Sequence, residues 1–181
     1  ADGTVTLRSS ENLRARLASG RTRVVADTIV SDVHGVKLVA DGRVESTMLP
    51  VTGTQPHRTS PMFTANEAVH FVSTSLESQN AGKRLLLRGD VRGWQGERTL
   101  SADEVEMVEE GEVLNASGHV ATRMPREAAR AATESDFVQI GAERLAYRGK
   151  AHTAEYEGNV RVRQAEGWLQ APRLVASLAE G

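Results

Sequence analysis

Two short patterns recur along the chain and interleave, and they constrain its fold more than any other feature. The first is Ala, then Asp, Asn, Glu or Pro, then two positions that lead into an aliphatic residue. It occurs at Ala26-Asp27-Thr28-Ile29, Ala65-Asn66-Glu67-Ala68 (followed by Val69), Ala102-Asp103-Glu104-Val105, Ala142-Glu143-Arg144-Leu145 and Ala171-Pro172-Arg173-Leu174. The second is Gly-x-Val, at Gly42-Arg43-Val44, Gly89-Asp90-Val91, Gly118-His119-Val120 and Gly158-Asn159-Val160. Alanine and glycine lie 16 positions apart in three units (26 and 42, 102 and 118, 142 and 158) and 24 apart in the unit that opens at Ala65. An eight-residue insertion near 75–83 (SLESQNAGK), read as a polar hairpin loop, accounts for that outlier.

The physical unit is a strand of five or six residues, a turn, and a second strand whose glycine permits a sharp bend or bulge. Each unit has one apolar face and cannot bury it alone, so stacked units share a continuous interior. Around these patterns the period is two, with β-branched residues alternating with charges. Strands are expected over 102–108, 142–147, 156–163 and 168–178, in a sheet of about 12 to 16 antiparallel strands, against the helix content of ordinary domains. Alternation turns Val69, Phe71, Leu85, Leu87, Val91, Val105, Met107, Val120, Leu145, Tyr147, Val160 and Val162 inward. It turns Glu104, Glu106, Arg161 and Arg163 outward, since burying an unpaired charge is costly.

Only two stretches read as helical: 11–18 (ENLRARLA), with a thin Leu13/Leu17 stripe, and 126–134 (REAARAATE), with no large apolar residue. Residues 48–62 hold Pro50, Pro56 and Pro61, three of the five prolines. Proline cannot donate to a strand ladder, so this is a loop. The chain is expected to be one domain over 1–181, with subdivision at 48–62 or at the polar insertion 123–136 as the alternative.

Composition narrows the function. The formal charge of −2 argues against nucleic acid, whose phosphates call for a basic excess. No apolar run of about 18 residues is present to span a membrane as a helix. With no cysteine, disulfides, thiolate nucleophiles and cysteine-based zinc sites are excluded. The chain opens on Ala1-Asp2 without a methionine, either because a signal segment has been removed or because a longer chain is cut there, and a start of the kind that cleavage at small residues leaves leans mildly toward export. The histidines His34, His57, His70, His119 and His152 are scattered and lack metal-ligand spacing. No nucleophile elbow, phosphate loop or dinucleotide fingerprint occurs, so neither catalysis nor a cofactor is expected. The acidic cluster Asp103, Glu104, Glu106, Glu109, Glu110, Glu112 reads as a solvated face, with calcium binding or acid–base work as the alternative. Only seven aromatic residues occur, and sugar platforms and single-strand grooves lean on such rings. An aliphatic interior suits acyl chains better.

The stretches Tyr156-Glu157-Gly158-Asn159-Val160-Arg161-Val162 and Gly167-Trp168-Leu169-Gln170-Ala171-Pro172-Arg173-Leu174 resemble the OstA-like domain of lipopolysaccharide transport proteins, the family of LptA, LptC and the N-terminal domain of LptD. Ser101-Ala102-Asp103-Glu104-Val105-Glu106-Met107 and Leu86-Leu87-Arg88-Gly89-Asp90-Val91 fit the same phrase, and Val39-Ala40-Asp41-Gly42-Arg43-Val44 fits it less cleanly. Pro172 stands where the family has aspartate. The resemblance spans about 24–178. It implies a twisted antiparallel β-jellyroll, shaped like a folded taco, in the periplasm. It further implies that the twelve inward residues hold the acyl chains of lipopolysaccharide or a related amphipathic lipid. The partners it implies are other OstA-like domains, docked head to tail through edge strands, with the apolar tail after Pro172 and Arg173 at one end. The Arg-rich start (Arg8, Arg14, Arg16, Arg21, Arg23) is the candidate opposite end. A structural or adhesive β-solenoid with a filled, ligand-free core is the alternative, and a β-helical polysaccharide enzyme a third.

Overall fold

A computed structural model describes residues 3–50, 63, 67–125, 137–165 and 167–177. The described residues form a nearly all-β structure, a single antiparallel sheet of twelve strands that does not close on itself. The strands are β1 (Thr4–Arg8), β2 (Ala15–Ser19), β3 (Thr22–Ala26), β4 (Thr28–Asp32), β5 (Leu38–Met48), β6 (Val69–Gln79), β7 (Arg84–Gln95), β8 (Arg98–Val108), β9 (Val113–Pro125), β10 (Phe137–Arg148), β11 (Thr153–Gln164) and β12 (Gly167–Ser177). A short 3₁₀ turn, Glu109–Gly111, joins β8 to β9. From β5 to β12 each strand pairs with its neighbour in sequence. The sheet runs unbroken past both irregular segments, since β5 pairs directly with β6 and β9 with β10.

The repeat is a row of bulges across the sheet. In β5, β7, β9 and β11 the glycine and its successor both have positive φ: Gly42 and Arg43, Gly89 and Asp90, Gly118 and His119, Gly158 and Asn159. Between them in the sheet lie the strands of the alanine pattern, and every ladder shifts register at this line. An extra residue on one strand bends it and raises its twist. Because the bulges are aligned, the whole sheet bends along one line.

Glycine is required there by close approach as well as by φ. A Cβ on Gly42, Gly89 or Gly158 would stand 2.5 Å from Asp27 Oδ2, Thr74 Oγ1 or Glu143 Oε2. The residue after the glycine then reaches back to the acid. Arg43 Nη2 donates to Asp27 at 2.6 Å, Asn159 Nδ2 to Glu143 at 2.6 Å, and the His119 ring nitrogen lies 2.9 Å from Asp103 Oδ2. The Ala-acid and Gly-x patterns are the two halves of this corner.

Four expectations are corrected. No insertion separates the second unit's halves. Ser73 and Thr74 occupy the corner position opposite Gly89, the Thr74 hydroxyl donating to the Gly89 carbonyl at 3.4 Å. Serine replaces alanine there and preserves the spacing of 16. Residues 75–79 belong to β6, and the turn begins at Asn80. The full-length strands have 11 to 13 residues rather than five or six, because the glycine lies inside its strand instead of opening it. Segment 11–18 is not helical: it leads into β2, whose Ala15 is buried and whose Leu17 packs on the core while Arg14 pairs with Glu45. An isolated helix this short is marginal, and pairing with β3 satisfies the backbone instead. The Ala26 unit is also split, since its alanine ends β3 and Thr28 opens β4. Segment 126–134, most of 48–62 and the Ala65-Asn66 copy lie outside the described residues. Of the expected strands, 102–108, 142–147, 156–163 and 168–177 are all present.

Candidate functional site

The bulge row divides the inner face into two half-sheets, and they face each other. One carries Phe71, Val91, Leu100, Val120, Thr122, Ile140, Val160 and Val162. The other carries Leu76, Leu87, Val105, Met107, Leu114, Leu145, Tyr147 and Tyr156, all of the second set being buried. The Tyr156 hydroxyl, from the second, lies 3.1 Å from Thr122 Oγ1 of the first. Burial pushes the Tyr156 phenol above its ordinary pKa, and the bond to Thr122 opposes this only in part.

All twelve residues assigned inward from alternation lie in this buried cluster: Val69, Phe71, Leu85, Leu87, Val91, Val105, Met107, Val120, Leu145, Tyr147, Val160 and Val162. Sequence reasoning missed Val24, Ile29, Leu76, Leu100, Leu114 and Tyr156, each at most 1% exposed. Tyr156 has the parity of Val160 and Val162 and was within reach of the same rule. The buried polar side chains are Ser31, Ser46, Ser73, Gln95 and Thr122, and none of the described buried residues carries a charge. Gln95 donates to the Glu67 carbonyl at 2.9 Å. The described interior is thus a continuous apolar layer from β3 to β11, aliphatic for the most part with Phe71, Tyr147 and Tyr156 among it.

Among the described residues nothing covers its two ends. At β12 the inward positions Leu169, Ala171, Leu174 and Ala176 lie opposite Val162, Val160, Tyr156 and Ala154, yet Leu169 is 46% exposed and the other three half-buried. β12 pairs only with β11, so its outer edge has no partner within the sheet. At the opposite end β1 pairs only with β4 and β2 only with β3. There a cavity of about 190 Å³ lies between the half-sheets, touching Leu17, Val24, Ser31 and Leu38. Pro172 stands on β12 at the corner position that Asp103 and Glu143 occupy on β8 and β10.

The acidic cluster is a laced outer face. Glu106 takes a hydrogen bond from Arg84 at 2.8 Å and one from Asn115 at 3.1 Å, and these hold its carboxyl below the usual range. Glu104 pairs with Arg88 at 2.7 Å, and Lys150 reaches Glu112 at 3.1 Å. Among the described residues no group of three His, Asp or Glu side chains could hold a metal ion. His70 is satisfied by Thr47 at 3.1 Å and by stacking on Trp94. No helix among the described residues is long and apolar enough to cross a membrane.

No family model matches the chain, and no curated protein matches it by sequence. Among solved structures it is similar to LptH from Pseudomonas aeruginosa, described as the LptA-homologous periplasmic component of the conserved lipopolysaccharide transport device. The TM-score is 0.53 at 17% identity, over 61% of this chain and 76% of that one. A likeness at that identity establishes the fold, a twisted antiparallel β-jellyroll, and the neighbour that shares it is a transport component.

Proposed function

We propose that this chain is a periplasmic, non-enzymatic carrier of lipopolysaccharide or a closely related amphipathic lipid, acting as one segment of a transport bridge. The observation that carries this is the apolar inner face, which among the described residues runs without a buried charge to β12 and is left uncovered there. A domain that needed only a filled core would cap this face, because exposed apolar surface in a soluble domain invites association. Each methylene taken from water contributes roughly 0.8 kcal/mol, so a few acyl chains supply ample drive without any special side chain. In this proposal the tails enter beside Leu169 and Leu174 and part the half-sheets, with Val105, Met107, Leu145, Tyr147, Val160 and Val162 as their lining. The likeness to LptH supports the cargo and the compartment.

Bridge assembly follows from the edges. β12 presents unpaired backbone groups at one end, and β1 and β2 do so at the other, so a second such domain can add to the sheet by strand pairing. Pro172 removes one donor in the middle of β12 and so limits that pairing to the flanks.

The test is photo-crosslinking from position 174 in protein made in a lipopolysaccharide-producing host, with native mass spectrometry of the purified protein. The parent should crosslink to the lipid and carry it. Leu169→Asp at the mouth, and Val160→Asp or Leu145→Lys inside, should abolish the adduct while circular dichroism still reports β structure. Leu169→Asp lies at an exposed position and tests the idea even if the buried variants unfold. An unchanged adduct in all three variants overturns the carrier proposal.

A further inference from the structure

The outer surfaces of the two half-sheets differ in charge. On the half with Glu104 and Glu106, outward arginines meet carboxylates: Arg84 with Glu106 at 2.7 Å, Arg88 with Glu104 at 2.7 Å, Arg144 with Glu157 at 3.1 Å, and Arg173 with Glu155. On the other half, from β7 to β12, the outward strand positions between bulge row and rim carry Arg92, Arg123, Arg161, Arg163, Trp94 and Trp168, and no carboxylate. Glu97 lies outside the strands, in the β7–β8 turn. Among the described residues Arg92, Arg161 and Arg163 make no ion pair, while Arg123 lies 3.3 Å over the Phe137 ring.

This surface is also hollow. Ser101, Ala121 and Gly141 stand side by side in register across β8, β9 and β10, next to Arg161 on β11. Carrying at most a hydroxymethyl group each, they floor a groove of about 950 Å³, with Arg123, Arg161, Arg163 and Trp168 along its sides. Trp168 is 79% exposed and Trp94 38%. Arginines stand on both half-faces, so what sets this one apart is the lack of carboxylates on its strand positions and the exposed Trp168 beside the arginines. Guanidiniums take phosphate by paired N–H bonds, and indole rings favour the boundary between headgroups and water.

We propose that this arginine–tryptophan groove docks the phosphate-bearing headgroups of anionic lipids. It lies on the outer face, so it functions whether or not the interior carries acyl chains. Charge complementarity selects the occupant: Arg161 and Arg163, which make no ion pair among the described residues, match clustered phosphates, and juxtamembrane arginines each strengthen attraction to an anionic surface.

The experiment follows Trp168 fluorescence in a Trp94→Phe background. The probes are vesicles of equal parts phosphatidylglycerol and phosphatidylcholine, and vesicles of phosphatidylcholine alone. The anionic vesicles should bind and the zwitterionic ones should not, with affinity falling steeply as salt rises. Arg161→Gln with Arg163→Gln should weaken binding about thirtyfold. Arg144→Gln with Arg173→Gln, which removes the same charge from the laced half, should leave it within about twofold. Equal losses in the two double variants, or no binding of anionic vesicles by the parent, overturn the proposal. So does full competition by inorganic phosphate, which would make the groove a site for free anions. None of these outcomes bears on crosslinking inside the jellyroll.

Discussion

The hydroxyls of Tyr156 and Thr122 stand 3.1 Å apart, although the two residues lie on opposite sides of the bulge row. Thr122 is in register with Ile140, and Ile140 with Val162, six positions beyond Tyr156 on β11. In a flat sheet those rows would be more than about 15 Å apart. Their contact therefore measures the bend, and it closes the inner faces over the core.

Tyr156→Phe is expected to cost about 1 kcal/mol, because it leaves the buried Thr122 hydroxyl without its partner. Adding Thr122→Val should recover most of the loss, since no orphaned hydroxyl then remains. Urea midpoints of the two single variants and the double variant give the coupling directly.

Gly118→Ala should destabilise by about 2 kcal/mol, because φ is +73° and the new methyl group meets the Asp103 carboxylate. Gly141→Ala is the control. Its nearest contact, the Val120 carbonyl, is 3.9 Å away, and its loss should stay within about 0.5 kcal/mol. Asp103→Ala should soften Gly118→Ala only in part, because it removes the carboxylate's clash but leaves the Cβ of residue 103 at 2.8 Å and the strain in φ.

Acid should loosen the laced outer half. Arg84 and then Asn115 hold Glu106 below the usual glutamate value of 4.5, and Arg173 does the same for Glu155. A folded-state pKa lowered in this way gives stability that is present above 4.5 and lost as pH falls through the lower, folded-state value. Thermal midpoints should fall from about pH 4.5 downward, and Glu106→Gln should flatten that limb while lowering the neutral plateau.

Removal of residues 174–181 should leave the fold in place but abolish concentration-dependent self-association, or binding to another jellyroll of this type, in sedimentation velocity. A full-length chain that stays monomeric at high concentration and binds no such domain would remove the edge-docking part of the bridge proposal.

The sequence by itself determined the corner and the inward set. Ala102-Asp103 with Gly118-His119, and Ala142-Glu143 with Gly158-Asn159, carry their chemistry in residue type and spacing, since only glycine tolerates both the φ and the approach of the acid. Alternation sufficed for the twelve buried residues because a strand has a period of two and one wet face. Ser73-Thr74 escaped notice because a hydroxyl can fill the role of an acid without resembling one. β2 escaped because its partner on β3, not its own thin Leu13/Leu17 stripe, decides its form. Only the tertiary structure decided which charges are satisfied. Arg161 and Arg163 look, along the chain, like Glu104 and Glu106, an outward alternation on a solvated strand. Whether an arginine meets a carboxylate depends on register between strands far apart in sequence, and Coulomb attraction acts through space over a few ångströms, not along the backbone.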